Sequence, residues 1–159
     1  MRRLACLALL LLLAACGGGG GYSSAGGFMW CVPYARAESG IQLSGDAWEW
    51  WDAAAGRYAR GSTPQPGSVL VLRRTSRLRD GHLSVVNRVV SAREIRVDHA
   101  NWASGAYRGR IATDQQVVDV SPANDWSMVR VWYPPSRALG VTSYPAAGFI
   151  HRQPLMAAR

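Results

Sequence analysis

The chain of 159 residues carries 18 basic against 10 acidic residues, a formal charge of +8 at pH 7, and every basic residue is an arginine. Its length and 48% hydrophobic content suit one domain with a substantial core. The basic balance comes without any motif resembling a nucleic-acid binder, which excludes nucleic acid as an expected partner, and the three cysteines leave no disulfide pair once the leader is considered.

Arg2 and Arg3 form a positive n-region, Leu4 to Leu13 an apolar stretch, and Leu13-Ala14-Ala15-Cys16 a small-residue cleavage site that fits the bacterial lipobox. The apolar run from Leu4 to Ala15 covers 12 residues, short of the ~20 that span a bilayer, so residues 1–15 read as a cleaved lipoprotein signal peptide rather than a transmembrane helix. Cleavage would leave Cys16 lipidated by acyl chains such as palmitate, with 144 residues and a formal charge of +6 in the mature chain. An uncleaved anchor or plain secretion are the alternatives. Cys6 departs with the leader, so Cys31 is the one unmodified thiol. Residues 16–27, rich in glycine and serine, read as a tether. Gly17 stands where an aspartate would signal inner-membrane retention, which favours the outer membrane and a periplasmic-face location.

A helix is expected over Cys31 to Glu38, with Pro33 tolerated in its first turn. Asp46-Ala47-Trp48-Glu49 resembles a capping box opening a second helix through Ala55, closed by Gly56, with Trp48, Trp51 and Ala55 facing the core. Pro64-Gln65-Pro66-Gly67 signals a turn into a buried strand, Ser68 to Leu72. His82 to Val90 and Glu94 to Trp102 read as a hairpin across Ser91-Ala92-Arg93, followed by strands over Gln116 to Val120 and Ser127 to Tyr133. Val141 to Ile150 reads as a short edge segment. Helices first and strands afterwards predict an α+β domain, N-terminal helices packed on a central antiparallel sheet over residues 28–133, with 134–159 as a C-terminal extension.

A lone cysteine followed by separate histidines in an exported chain suggests a nucleophile. At a helix N-terminus, partial positive charge is expected to lower the Cys31 pKa. His82, opening its strand after Asp80-Gly81, is the candidate base. On the next strand Val97, His99 and Asn101 share one face, so His99 can orient the base and Asn101 support it; Asp98, on the opposite face, is the alternate third member if a bulge brings it round. Two histidines and a thiol match no compact zinc spacing, and no metal or cofactor is expected. Arg73, Arg74, Arg77 and Arg79 cluster in a loop, either solvated or docking substrate. His151 is expected to be an exposed residue of the tail.

The segments Trp30-Cys31-Val32-Pro33-Tyr34-Ala35-Arg36, Pro66-Gly67-Ser68-Val69-Leu70-Val71-Leu72, Gly81-His82-Leu83-Ser84-Val85-Val86 and His99-Ala100-Asn101-Trp102 resemble, in order, the CHAP domain, a cysteine- and histidine-dependent amidohydrolase/peptidase. The resemblance implies a papain-like fold, Cys31 as nucleophile, His82 as base and cleavage of peptidoglycan amide bonds. CHAP domains often have an acid where this chain has His99; the related NlpC-type cell-wall peptidases use a second histidine there. Tyr34 also matches, as a packing residue. The expectation is therefore a lipid-anchored peptidoglycan amidase or endopeptidase of the cell envelope, working through a Cys31 thiolate paired with protonated His82, and acting alone or through a protein activator. The alternative is a non-catalytic wall-binding or structural lipoprotein.

Overall fold

The computed structural model describes residues 20–23 and 27–154. The predicted signal peptide, Cys16 and much of the tether lie outside the described residues. In chain order the elements are β1 (Tyr22–Ser23), α1 (Cys31–Ser39), a 3-10 turn (Ala47–Glu49) running into α2 (Trp50–Ala53), β2 (Tyr58–Gly61), β3 (Val69–Leu72), β4 (His82–Ser91), β5 (Glu94–Ala100), β6 (Ile111–Asp119), β7 (Met128–Tyr133), β8 (Ala138–Leu139) and β9 (Tyr144–Pro154), with further 3-10 turns at Gly105–Tyr107 and Pro134–Ser136.

The expected α+β arrangement of helices packed on an open sheet is corrected. Among the described residues strand accounts for 41% and helix for 17%, and six antiparallel strands close into a barrel in the order β6-β5-β4-β3-β9-β7, with β7 pairing back onto β6. Closure leaves no open edge among those six strands. The segment read as a short edge is the longest strand: β9 lies between β3 and β7 and also pairs with β2, so it supplies a wall of the barrel.

Strand β3 accounts for the two-sided core. All four of its residues are fully buried, and because strand side chains alternate, Leu70 and Leu72 enter the barrel while Val69 and Val71 face the helices. The barrel interior is filled by Val86, Ile95, Val97, Val117, Val129, Phe149 and neighbours. Outside it, Ala35, Ile41, Leu43, Ala47 and Trp50 pack on Leu83, Val85 and Ile150. The second helix is shorter than expected. The Asp46 amide donates to the Glu49 carboxylate at 2.7 Å as a capping box should, but the first turn is 3-10. The tighter turn changes the phase, so Ala47, Trp50 and Ala54 are buried instead of Trp48, Trp51 and Ala55.

Candidate active site

The thiol sits at the first residue of α1. Trp30 caps the helix in extended conformation with no side-chain hydrogen bond, which leaves the opening amides free for another acceptor. The Cys31 sulfur receives the N–H groups of Cys31, Val32 and, from the start of β4, Leu83. Those three donors favour thiolate, yet burial pushes the thiol pKa up and outweighs them, with the Asp80 carboxylate adding in the same direction. The expected depression of this pKa is thus reversed: the helix terminus is present, but the sulfur is poorly hydrated.

His82 follows Gly81, which holds φ +68° and where a Cβ would lie 2.7 Å from the Leu72 carbonyl oxygen and 2.8 Å from the Trp48 amide nitrogen. Only glycine fits that approach, and it brings β4 in beside the second helical segment. The β4–β5 register pairs Val85 with Asp98, which sets Ser84 opposite His99 and His82 diagonal to it. His82 Nε2 lies 3.2 Å from His99 Nδ1, and Ser84 Oγ is also 3.2 Å from that nitrogen. Both rings are buried. Loss of hydration lowers His82 to about 3; His99 is also well below the ordinary imidazole value, first through burial and then through His82 beside it. Both histidines are therefore neutral at physiological pH. His99 Nε2 is buried without a hydrogen-bond partner.

The remaining expected residues fall elsewhere in the hydrogen-bond network. Asp98 accepts from the Asn87 side chain at 3.2 Å and from the Asp114 amide at 2.7 Å. Asn101, at φ 58°, accepts the Gly109 amide at 2.9 Å and so ties a loop. Tyr34 is buried on α1. His151 is half-buried on β9.

Sequence reasoning did not single out Ser84, although alternation puts it on the same face of β4 as His82. It also left Trp102 unassigned. That indole packs on His82 at 4.8 Å between ring centroids and stacks on His99 at 5.7 Å, and its N–H donates to the Trp132 carbonyl at 3.0 Å.

Two depressions flank these groups. A cleft of about 350 Å³ opens on Cys31 and is lined also by Trp30, Asp46, Ala47 and Asp80. A groove of about 450 Å³ is walled by Trp102, the residue that packs on both histidines, together with Tyr133, Tyr144 and Arg77. Among the described residues no group of three or more histidine, cysteine, aspartate or glutamate side chains is placed to hold a metal ion.

A helix-borne thiol hydrogen-bonded to the strand that carries a buried histidine pair defines a cysteine–histidine site on a β-barrel. A family model for the CHAP domain matches residues 22–101, half of the chain, and the chain belongs to that family. The matched span includes Cys31, His82, His99 and Asn101. The family is one of peptidoglycan hydrolases of the amidase/peptidase type. No curated protein and no solved structure matches the chain.

Proposed function

We propose that this chain hydrolyses amide bonds of peptidoglycan by acyl transfer through Cys31, held at the cell envelope by lipid on Cys16. The observation that carries the reading is the His82–His99 contact at 3.2 Å beside a strand whose Leu83 amide reaches the Cys31 sulfur. His82 Nε2 is engaged with His99, so the base is His82 Nδ1. For Nδ1 to be bare, Nε2 must carry the proton and donate it to His99 Nδ1. His99 then fixes the tautomer and ring orientation, as the third member of a triad does.

The raised thiol and lowered imidazole pKa values support a neutral resting pair in place of a preformed thiolate–imidazolium. In the first step Nδ1 takes the thiol proton as sulfur attacks the carbonyl carbon, forming the S–C bond. The oxyanion is met by backbone N–H groups at the start of α1. Collapse breaks the C–N bond as Nδ1 returns its proton to the departing amine. Water, deprotonated by the same nitrogen, then splits the thioester to release a carboxylic acid and restore the thiol. The test is clearing of a suspension of purified sacculi by the full chain, its Cys31→Ala variant and its His82→Ala variant. Clearing by the unsubstituted chain alone is expected; equal clearing by Cys31→Ala, or none by any form, contradicts the reading.

A further inference from the structure

The segment that leads into the nucleophile is stitched along β6 and the loop before it, and the seam turns aromatic rings and arginines outward. The Thr113 amide donates to the Gly21 carbonyl at 2.8 Å, and Tyr22 and Ser23 pair with Ala112 and Ile111. At Gly20 the approach is so close that a Cβ would overlap the Thr113 carbonyl oxygen. The Tyr22 ring meets Tyr107 edge-on at 5.2 Å, and the Arg110 guanidinium lies 5.9 Å from the Tyr107 centroid. Further along, the Met29 amide donates to the Gly109 carbonyl at 2.9 Å, and a Cβ at Gly109, φ +72°, would overlap the Phe28 ring. That seat leaves Phe28 and Trp30 50% and 54% exposed, with their ring centroids 4.8 Å apart and the Arg108 guanidinium 5.7 Å from the Phe28 centroid.

Exposed aromatic rings beside arginines suit the interface of a bilayer, where amphipathic rings sit at headgroup level and guanidinium groups meet lipid phosphates. The charge of the strip fits such a surface. Asp114, the carboxylate beside Gly20, is paired with Arg88 at 3.1 Å, so Arg108 and Arg110 set the sign. Past Trp30 the sign changes, because the cleft at Cys31 carries Asp46 and Asp80, and the cationic face ends there. Connectivity brings a membrane to this side of the domain. The lipid proposed on Cys16 is four residues from Gly20, a reach of about 15 Å for a fully extended chain. Since Gly20 is pinned at Thr113, the strip has to lie close to whatever surface the acyl chains enter.

Building on the lipid anchor proposed at Cys16, we infer that Phe28, Trp30, Arg108 and Arg110 form a surface that docks on an anionic phospholipid bilayer and holds the domain against the membrane its lipid enters. The test reconstitutes the full mature chain in vesicles of phosphatidylethanolamine and phosphatidylglycerol, a fraction of the lipid brominated near the headgroups, and reads quenching of tryptophan emission. A quenched component is expected that disappears in Trp30→Phe and is largely lost in Arg108→Glu or when phosphatidylcholine replaces the anionic lipid. Emission left unquenched, or quenched equally after Trp30→Phe, overturns the inference. So does a Trp30 signal that answers to sacculi or to rising protein concentration and not to vesicles, which gives the face to the wall or to a second copy. The mass of the N-terminal peptide reads the anchor separately: a lipidated Cys16 with Trp30 unquenched removes the docking surface alone. If Cys16 proves bare, the chain must still float with these vesicles, about tenfold less after Arg108→Glu, and failure to float removes surface and anchor together. Cys31→Ala should be quenched as the unsubstituted chain is, so an absence of hydrolysis leaves the surface standing.

Discussion

Acid should weaken this fold well before its carboxylates titrate. His82 and His99 are buried and uncharged, His82 brought down to about 3 and His99 also well below its ordinary value by loss of hydration. In the unfolded chain each returns to about 6.5. Between those values the unfolded state binds more protons, so the stability they contribute is present above about pH 6.5 and declines as pH falls toward the folded values. From about pH 7 to about pH 5 the integrated loss for His82 is about 2 kcal/mol, and His99, lowered in the same direction, adds to it. Domains have a total of only about 5–15 kcal/mol, so this is a large share. His151, half-buried and also lowered by burial, contributes with the same sign. Urea unfolding followed by tryptophan fluorescence at both pH values measures the loss, and His99→Gln should reduce it. An unchanged stability between the two pH values would refute a buried neutral pair. A full loss retained in the His82→Gln, His99→Gln double variant would place the acid sensitivity elsewhere.

Since the base is already neutral, kcat/KM should be nearly flat from about pH 7 to about pH 5 at temperatures where the fold holds, whereas an imidazole titrating at about 6.5 would lower it about 25-fold. Cys31 should be alkylated slowly by iodoacetamide at neutral pH, with a rate that climbs about tenfold per pH unit, followed by peptide mapping; rapid, pH-independent labelling would reveal a preformed thiolate. Gly81→Ala should cost about 2–4 kcal/mol and most of the activity, because the new Cβ meets the backbone of Leu72 and Trp48 at a positive φ; an unchanged thermal midpoint would contradict that packing.

What was legible in the sequence is local. Pro33 in a first turn located Cys31 at the start of α1, and the turn signals bracketed β3 and the β4–β5 hairpin close to their observed limits. The barrel was not legible, because closure rests on β6 pairing with β7 and on β9 inserting between β3 and β7, contacts distant in sequence. Pro145 and Gly148 inside β9 disguised it as an irregular edge. Alternation on β5 brought His99 to the face of Val97, where the structure has it against His82. Asn101 departs from that pattern because its left-handed φ turns it toward Gly109. The charge state of the site was hidden for a further reason: a helix terminus can be read from the chain, but the burial that overrides it comes only from tertiary packing.

Amide hydrolysis through Cys31 leaves a defined isotopic signature in its products. Digestion of purified sacculi in water enriched in heavy oxygen, with mass spectrometry of the released fragments, tests it most directly. A new free amine on one fragment and one heavy oxygen in a new carboxyl on the other are expected, both lost in Cys31→Ala. Fragments with new reducing or anhydro sugar ends, or labelled carboxyls that persist without Cys31, would contradict it.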